Sequence, residues 1–413
     1  MGIKRWGFVI LAGTVLIVLG FSQVLTARRI SNVITRLTAP DFLLIALGLL
    51  LMGVGVVLLI RSLLVALVPE QKGDLSEVLW RNRVRQRGPR IVVFGGGTGL
   101  PVLLKGLKNY TTNLTAVVTV ADDGGSSGRL RRDLEVPPPG DLRNCLVALA
   151  RSEDLMSRLF QYRFERGGDL VGHSFGNLLI AALANITGDF MQALKVSSDV
   201  LAVVGEVLPS TCQNVVLRAV LMDGQRVEGE TNISKSGKRI REISLFPSDP
   251  VPPPSVLERI EQAEIIVLGP GSLFTSVIPN LLVPDIATAI LQTGAPVVYV
   301  SNIMTQPGET DRFNLSDHLE AIFHHTAIKK VDHVIVNSGH ISDERQSSYR
   351  AKGSTVVEID AQARSRMGAT IVAEDIVTRT DFIRHDSTML AQSLMKLVEM
   401  RMSRGVRVLR ARR

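Results

Sequence analysis

The sequence predicts an α/β protein with a doubly wound, mostly parallel sheet and a small antiparallel subdomain, preceded by a transmembrane helical hairpin. Three observations support this prediction. Two long apolar stretches precede residue 68, several short apolar runs later in the chain end in glycine or small polar residues, and the stretch 203–245 alternates polar with apolar residues. Apolar runs without polar alternation are typical of strands buried on both faces, whereas alternation is typical of antiparallel strands.

The segment 1–68 predicts two transmembrane helices. No charged residue lies between Arg5 and Arg28 or between Asp41 and Arg61. Each stretch is long enough to cross a hydrocarbon core of about 30 Å at about 1.5 Å per residue. A cleaved signal peptide is the alternative for the first stretch, but that stretch is longer than a usual signal sequence and a second one follows. We therefore expect a two-pass anchor in the cell membrane.

The charge distribution places the large domain in the cytoplasm. Two spans leave the N-terminus and the predicted domain 90–400 on the same side, and the basic linker 69–89 suits the anionic cytoplasmic leaflet. The net charge of +8 does not indicate nucleic-acid binding. The basic runs Arg81–Arg90 and Arg401–Arg413 lack aromatic residues for base stacking. Attraction to the membrane surface is the expected use of the linker and of the basic tail 401–413.

The first candidate ligand-binding segment is a glycine-rich loop between the predicted strand Ile91–Phe94 and the predicted helix Leu100–Leu107. A helix N-terminus presents free N–H groups, and glycine lets a phosphate approach them without a Cβ in the way. The loop matches neither the regular dinucleotide motif nor the Walker A motif, so a tight βα turn without a ligand is the alternative. Its candidate residues are Gly96, Gly97, Thr98 and Gly99.

Two adjacent carboxylates follow the second predicted strand, Leu114–Val120. Asp122 and Asp123 stand where dinucleotide-binding folds place an acid on a ribose, and two acids can also hold a divalent cation that bridges phosphates. Both are therefore candidate metal ligands, with Mg²⁺ as the candidate ion. A polar turn with helix caps at Ser126 and Ser127 is the alternative. The glycine-rich stretch that contains all four residues predicts neither helix nor strand.

Further candidates flank two predicted helix starts. Pro137–Pro139 forms a rigid turn before a predicted helix over Cys145–Ala150. Asp141 would cap that helix, and Arg143 would either pair with a phosphate or balance Asp141. Gly172–Gly176 matches the GxSxG nucleophile elbow, but no buried strand precedes it, so its serine is expected to begin a helix. The histidine before that serine acts on a ligand, caps the helix or belongs to the core. The other candidates in these segments are Asn144, His173, Ser174 and Asn177.

Later apolar runs end in small polar residues in the same way. Glu264–Leu268 leads into Gly271 and Ser272, and Val297–Val300 leads into Asn302. Helices between parallel strands bring the carboxyl ends of those strands to one edge of the sheet, where ligands bind in such folds. We therefore expect Gly271, Ser272 and Asn302 to contact the same ligand as the first glycine-rich loop.

These motifs together resemble those of the YvcK-type gluconeogenesis factor family. That family is related to the CofD-type transferases, which pass phospholactate from a guanylyl carrier to a deazaflavin. The resemblance spans Arg90 to Val398. It implies a Rossmann-like domain that binds a UDP-sugar such as UDP-N-acetylglucosamine, with a role in cell shape and cell-wall precursor supply. It also implies that Tyr349 and Arg384 contact the nucleotide, since a tyrosine can stack on a base and an arginine can fork onto a diphosphate.

Two functions stay open at this point. A regulatory protein that senses a UDP-sugar is favoured, because few aromatic residues lie near the motifs to hold a deazaflavin and His173 is the sole obvious acid–base candidate. The alternative is a 2-phospho-L-lactate transferase-like phosphotransferase that uses Asp122, Asp123 and a bound cation. Self-association into a homo-oligomer is also left open.

Overall fold

The computed structural model describes residues 3–30, 39–67, 84–151, 155–365 and 368–411. The chain separates into two compact units, Met1–Trp80 and Arg81–Arg413. Most of the predicted basic linker and the side chains of the predicted basic tail lie outside the described residues. The predicted domain boundary at residue 400 falls inside a helix that continues to Ala411.

The N-terminal unit is a pair of helices, α1 (Ile3–Ile30) and α2 (Ala39–Leu67). The helices approach closely at two glycines, because a Cβ on Gly13 would lie 2.7 Å from the Gly48 carbonyl oxygen. Large apolar side chains are exposed instead, for example Phe8 at 72%. Small residues at the helix contact and apolar side chains outside it are typical of helices packed within a lipid bilayer.

Among the residues described, one helix is long and apolar enough to cross a membrane, over Arg5–Ser22. The described apolar part of α2, Leu43–Leu59, is shorter. The predicted two-pass topology is therefore not supported by the structure, which provides one candidate span near the N-terminus.

The globular unit is built on a seven-stranded parallel sheet. The strands of the unit are β1 (Ile91–Gly95), β2 (Leu114–Val118), β3 (Glu206–Pro209), β4 (Val216–Leu221), β5 (Arg226–Glu228), β6 (Ile240–Phe246), β7 (Ile265–Leu268), β8 (Val297–Val300), β9 (His333–Asn337) and β10 (Thr370–Glu374). The sheet order is β10-β9-β8-β7-β1-β2-β3, and every neighbouring pair is parallel. The chain runs outward from β1 to β3 and restarts at β7 on the other side of β1. The predicted doubly wound sheet is confirmed, with its topological switch point between β1 and β7.

β1, β2, β7 and β8 are buried along their whole length. Helices and loops therefore cover both faces of this sheet. The helices are α3 (Gly99–Leu107), α4 (Gly125–Leu134), α5 (Gly140–Leu149), α6 (Leu155–Gln161), α7 (Phe175–Thr187), α8 (Phe190–Val200), α9 (Glu230–Lys235), α10 (Pro254–Glu261), α11 (Ile278–Leu281), α12 (Pro284–Gln292), α13 (Leu315–His325), α14 (Asp343–Arg350), α15 (Ala361–Ser365) and α16 (Ser387–Ala411). A 3-10 turn, Gly168–Leu170, and a π-helical turn, Leu273–Val277, complete the unit.

A second sheet of three antiparallel strands, in the order β5-β4-β6, confirms the predicted antiparallel subdomain. Buried positions of β4 alternate with half-buried ones. The prediction extended too far toward the N-terminus, because Glu206–Pro209 pairs in parallel with β2 in the main sheet. A strand of 4 residues is too short to show its period in the sequence.

Two helices begin earlier than predicted. α4 starts at Gly125, inside the stretch that predicted neither helix nor strand, and α5 starts at Gly140 rather than at Cys145. Glycine and serine are weak helix formers, but tertiary packing stabilises most helices in proteins. The first turn of α4 packs tightly against the first turn of α5, since a Cβ on Gly140 would collide with Ser127 Oγ.

Candidate functional site

A cavity of about 400 Å³ lies at the carboxyl ends of β1, β7 and β8, across the switch point. Larger grooves of about 720 and 870 Å³ open at the amino ends of the strands, but no predicted site residue lines them. Since parallel sheets bind ligands at their carboxyl edge, we take the smaller cavity as the candidate site. The predicted residues that line it are Gly97, Thr98, Gly99, Gly271, Ser272, Asn302 and Arg384. The predicted residues that do not line it are Gly96, Asp122, Asp123, Ser126, Ser127, Asp141, Arg143, Asn144, His173, Ser174, Asn177 and Tyr349.

The glycine loop between β1 and α3 has structural roles besides any ligand contact. Gly97 has a φ of +60°, in the left-handed region that disfavours residues with a Cβ. A Cβ on Gly99 would lie 2.7 Å from the Pro270 carbonyl oxygen, so this glycine lets the two loops of the switch point meet. The Gly97 N–H donates to Asp141 Oδ2 over 2.6 Å. Protein packing therefore explains part of the glycine pattern from which the sequence predicts phosphate binding.

Asn280 on α11 ties the two loops together. It is completely buried, and its Nδ2 donates to the Gly95 carbonyl oxygen over 3.0 Å and to the Ser276 carbonyl oxygen over 2.7 Å. Gly95 ends β1, and Ser276 belongs to the turn that follows β7. One side chain thus joins both sides of the switch point. No local sequence pattern marks Asn280, because the partner that makes it a link between the loops, Gly95, lies 185 residues away in the chain.

Asp141 does not cap α5, so this predicted role is wrong. Pro139 occupies the N-cap position of α5 without a side-chain hydrogen bond, and the Asp141 carboxylate instead accepts from the Gly97 N–H of another loop. Burial raises the pKa of Asp141 to about 6. The Gly97 hydrogen bond opposes this rise, whereas the charge of Asp122 adds to it. Asp141 therefore titrates close to neutral pH.

Five carboxyl groups interact beside the glycine loop. Glu230 lines the cavity, and it feels the charges of four other acids, namely Asp122, Asp123, Asp141 and Glu309. Burial, together with the charges of the other acids, raises the pKa of Glu230 to about 9. Burial likewise raises the pKa of Asp122 and of Glu309. The two glutamates were not predicted, because neither follows an apolar strand or belongs to a glycine-rich motif, and only the fold brings them here.

Asp123 and Ser272 are held by protein partners. Asp123 Oδ1 accepts from the Thr231 N–H over 2.9 Å at the start of α9. Ser272 Oγ donates to the Glu309 carboxylate. No group of three or more His, Cys, Asp or Glu side chains within the described ranges is arranged to hold a metal ion. Binding of Mg²⁺ by Asp122 and Asp123 therefore stays a prediction.

A buried network centred on Ser126 adjoins the acids. Ser126 Oγ accepts from Asn177 Nδ2 over 3.1 Å and from the Ser174 N–H over 3.4 Å, and it lies 3.0 Å from His173 Nδ1. Because two donors already point at this oxygen, its hydroxyl donates to His173, whose Nδ1 is then unprotonated. Burial lowers the pKa of His173, and the charges of nearby arginines lower it further. The neutral ring thus carries its proton on Nε2.

Ser174 begins a helix, as predicted. It occupies the N-cap position of α7 and is fully buried, and its Oγ donates to the Phe160 carbonyl oxygen over 3.1 Å. The residues before it form the 3-10 turn Gly168–Leu170 rather than a buried strand. The GxSxG match therefore does not form a nucleophile elbow.

The far wall of the cavity is formed by the segment around Arg384. Arg384 is exposed, and its guanidinium lies 5.3 Å from the centre of the Phe382 ring. Tyr349 lies behind this segment, where its hydroxyl accepts from the Ile383 N–H over 3.0 Å and its ring packs against a small apolar cluster. The structure does not bring the Tyr349 ring to the cavity, and base stacking by Tyr349 stays a prediction.

Comparison with known proteins agrees with this architecture. The family model of the 2-phospho-L-lactate transferase CofD matches residues 91–377. A putative gluconeogenesis factor from Nostoc sp. is 44% identical, over 96% of this chain and 90% of that protein. The gluconeogenesis factor of Bacillus subtilis is 47% identical, over 75% of this chain and 98% of its own length. The crystal structure of protein BH3568 from Bacillus halodurans matches with a TM-score of 0.73 at 47% identity, over 75% of this chain and 99% of that one. The chain therefore belongs to the gluconeogenesis factor family, and its globular domain is of the CofD type.

Proposed function

We propose that the chain is a membrane-anchored cytoplasmic protein that binds a UDP-sugar, such as UDP-N-acetylglucosamine, and regulates cell shape and cell-wall precursor supply. The observation that carries this proposal is the cavity at the switch point, which has a glycine-rich loop on each side and Arg384 on its far wall. Its volume of about 400 Å³ lies within the range of about 300–1,000 Å³ that is usual for small-molecule sites.

The cavity offers two kinds of donor to a diphosphate. Thr98 at the N-cap of α3 makes no side-chain cap, so the first N–H groups of that helix remain available to an anion. Arg384 adds a planar fork of N–H groups, which matches two phosphate oxygens. The base and the sugar then occupy the remaining length of the cavity.

Mg²⁺ is the cofactor that this arrangement favours. The acids beside the glycine loop would repel a diphosphate, and a divalent cation between them offsets that repulsion. Each aspartate of the predicted pair already accepts from one backbone N–H, Asp122 from Gly124 over 2.8 Å and Asp123 from Thr231 over 2.9 Å. Asp122 is the one to test, because its charge acts on Asp141, which accepts from the glycine loop. Addition of Mg²⁺ should therefore tighten UDP-sugar binding in the wild type and have much less effect in Asp122→Asn.

A phosphotransferase like 2-phospho-L-lactate transferase is the second candidate function, and the carboxyl cluster favours it. A group with a pKa of about 6, as Asp141 has, suits a general base at neutral pH better than an unperturbed carboxylate does. Incubation of the full chain with UDP-N-acetylglucosamine and Mg²⁺, followed by ³¹P NMR, tests for transfer of the sugar phosphate to water, in which water attacks the sugar-bound phosphorus, the bond to the bridging oxygen breaks and UMP leaves. Release of UMP that Asp141→Asn abolishes supports the enzyme, whereas unchanged ligand rules out transfer to water and favours the regulator.

We further propose that α1 and α2 both cross the membrane. The exposure of apolar side chains along α2, with Leu43 at 67% and Val57 at 63% exposed, supports contact with lipid. Reporter fusions at the two ends of the full chain should then report the same, cytoplasmic side. Fusions that report opposite sides would mean that α2 does not cross.

The ligand assignment is tested by calorimetric titration of UDP-N-acetylglucosamine into the full chain in detergent. Arg384→Ala should weaken binding roughly tenfold to a hundredfold, because a charge-assisted hydrogen bond contributes about 1.5–3 kcal/mol. Arg379→Ala is the matched control, since that side chain is 91% exposed in the same segment and pairs with Asp375. Equal affinity in the wild type and in Arg384→Ala would remove the diphosphate from this cavity.

A further inference from the structure

Arg143 on α5 is buried with most of its hydrogen-bond donors unused. The residue is 7% exposed, and its Nη2 donates to Asn144 Oδ1 over 2.6 Å. Its Nε and Nη1 have no partner in the part of the chain that the structure describes. Buried polar groups almost always have a hydrogen-bond partner, so an anion or water is needed to satisfy these two N–H groups.

The first turn of α7 lies against the Arg143 side chain. A Cβ on Gly176 would lie 2.8 Å from Arg143 Cδ, the atom to which Nε is bonded. α7 has 13 residues and no side-chain cap at its N-terminus, so this end carries about half a positive charge. The Ser174 and Phe175 N–H groups donate to Ser126 Oγ and to the Tyr162 carbonyl oxygen, so an anion would use the N–H groups of Gly176 and Asn177. Two independent sources of positive charge therefore meet at this point.

Neighbouring side chains increase the positive potential without occupying these donors. Arg163 Nη1 donates to the Gly172 carbonyl oxygen over 2.6 Å, and Arg129 Nη2 donates to the Val171 carbonyl oxygen over 2.8 Å. These bonds hold the loop before α7 in place.

The carboxylates of the neighbouring cluster do not neutralise Arg143. Asp141 and Asp122 raise its pKa, but burial and the charge of Arg163 lower it, and burial has the largest effect. The result is a pKa of about 10, so the guanidinium keeps its charge at neutral pH.

We propose that Arg143 and the first turn of α7 form a second subsite, which binds the phosphate group of a second ligand. An arginine fork and helix N–H groups together suit a tetrahedral oxyanion. This inference goes beyond the proposed function, which assigns the nucleotide diphosphate to the glycine loop and Arg384. The Nε and Nη1 atoms of Arg143 are shielded from solvent, so an anion reaches them only after a local rearrangement of the surrounding residues.

The test measures thermal stability of the full chain in detergent against increasing inorganic phosphate, with chloride added to keep the ionic strength constant. Phosphate should stabilise the wild type, and Arg143→Met, which keeps the volume and removes the charge, should raise the half-effective phosphate concentration at least tenfold. Arg158→Met is the matched control, since it removes one exposed positive charge from the neighbouring helix α6. That control should respond to phosphate as the wild type does.

Two further measurements test the second subsite if Arg143→Met does not fold. Arg143→Lys retains the charge but lacks the fork, and it should also lose at least severalfold in phosphate affinity. A saturating UDP-sugar should leave the phosphate response of the wild type in place, because the two sites are separate. The inference is overturned if phosphate does not stabilise the wild type, if Arg143 variants respond like Arg158→Met, or if the UDP-sugar removes the response. Absence of UDP-sugar binding in the wild type would overturn only the proposed function.

Discussion

Helix α5 contributes one residue to each of two buried charged clusters, Asp141 to an acidic cluster and Arg143 to a basic one. The two clusters differ in what can neutralise their charge. On the acidic side, the pKa of Asp141 is raised to about 6 and that of Glu230 to about 9, so protons can neutralise these groups near neutral pH. On the basic side, the pKa of Arg143 is lowered only to about 10, and loss of its proton does not help at neutral pH. Burial therefore makes the acids sensitive to pH and the arginine dependent on an anion or water.

The largest expected effect tests the acidic cluster through Glu230→Gln. The pKa of Glu230 is raised from 4.5 to about 9 in the folded protein, so its contribution to stability is complete below pH 4.5 and is lost as the pH rises toward 9. Glutamine cannot ionise. At pH 8 the variant should exceed the wild type in free energy of unfolding by about 2–4 kcal/mol, below the full value of about 1.4 kcal/mol per pKa unit because neighbouring acids share the proton.

Denaturant titrations of the globular unit within the full chain, at pH 5 and pH 8, measure this difference. The two proteins should be close in stability at pH 5. Glu228→Gln is the matched control, because the Glu228 side chain is 61% exposed and pairs with Arg218 in the three-stranded sheet. A gain in Glu230→Gln that does not depend on pH would show that ionisation of the cluster is not its cause.

The next effect tests the uncharged network beside Arg143 through Ser126→Ala. Removal of the hydroxyl leaves His173 Nδ1 and Asn177 Nδ2 without the partner that they have now. The free energy of unfolding should fall by about 1–2 kcal/mol, since a buried unsatisfied polar group costs about 1–3 kcal/mol. Ser347→Ala on the exposed face of α14 is the control and should change little. Thermal unfolding of both variants gives the comparison, and equal stability would mean that water replaces the hydroxyl.

The smallest effect lies outside both clusters and separates two roles of Tyr349. Tyr349→Phe keeps the ring but removes the oxygen that accepts from the Ile383 N–H, which should cost about 0.5–1.5 kcal/mol of stability. If the tyrosine positions the Arg384 segment, UDP-sugar affinity should also fall severalfold. If the ring stacks on the base, Tyr349→Phe should bind as the wild type does. Calorimetric titration of this one variant decides between the roles.

Local sequence patterns were sufficient to predict those parts of the site that are continuous in the chain. The loop from Gly97 to Gly99 and the residues Gly271 and Ser272 were predicted because each directly follows an apolar strand, and parallel strands bring such loops together. Glu230 and Asn280 were not predicted, because they reach the site from a short helix and a single turn without any motif. The role of Asp141 was misassigned for a related reason. A proline turn before α5 predicts that Asp141 caps that helix. In the structure, Asp141 instead accepts from the Gly97 N–H, which belongs to a different loop.

The hydrogen bonds of Asn280 affect the kinetics of ligand exchange. They fix the two glycine-rich loops to each other, so this floor of the cavity is formed before a ligand arrives, and association requires little rearrangement there. The Arg384 segment is also held to the protein, by His385 Nε2 at 3.1 Å from the Ser301 carbonyl oxygen and by the Ile383 N–H, which donates to Tyr349, but the Arg384 side chain itself is exposed. Differences in residence time between related ligands should therefore originate at the Arg384 wall, whereas their association rates should be similar.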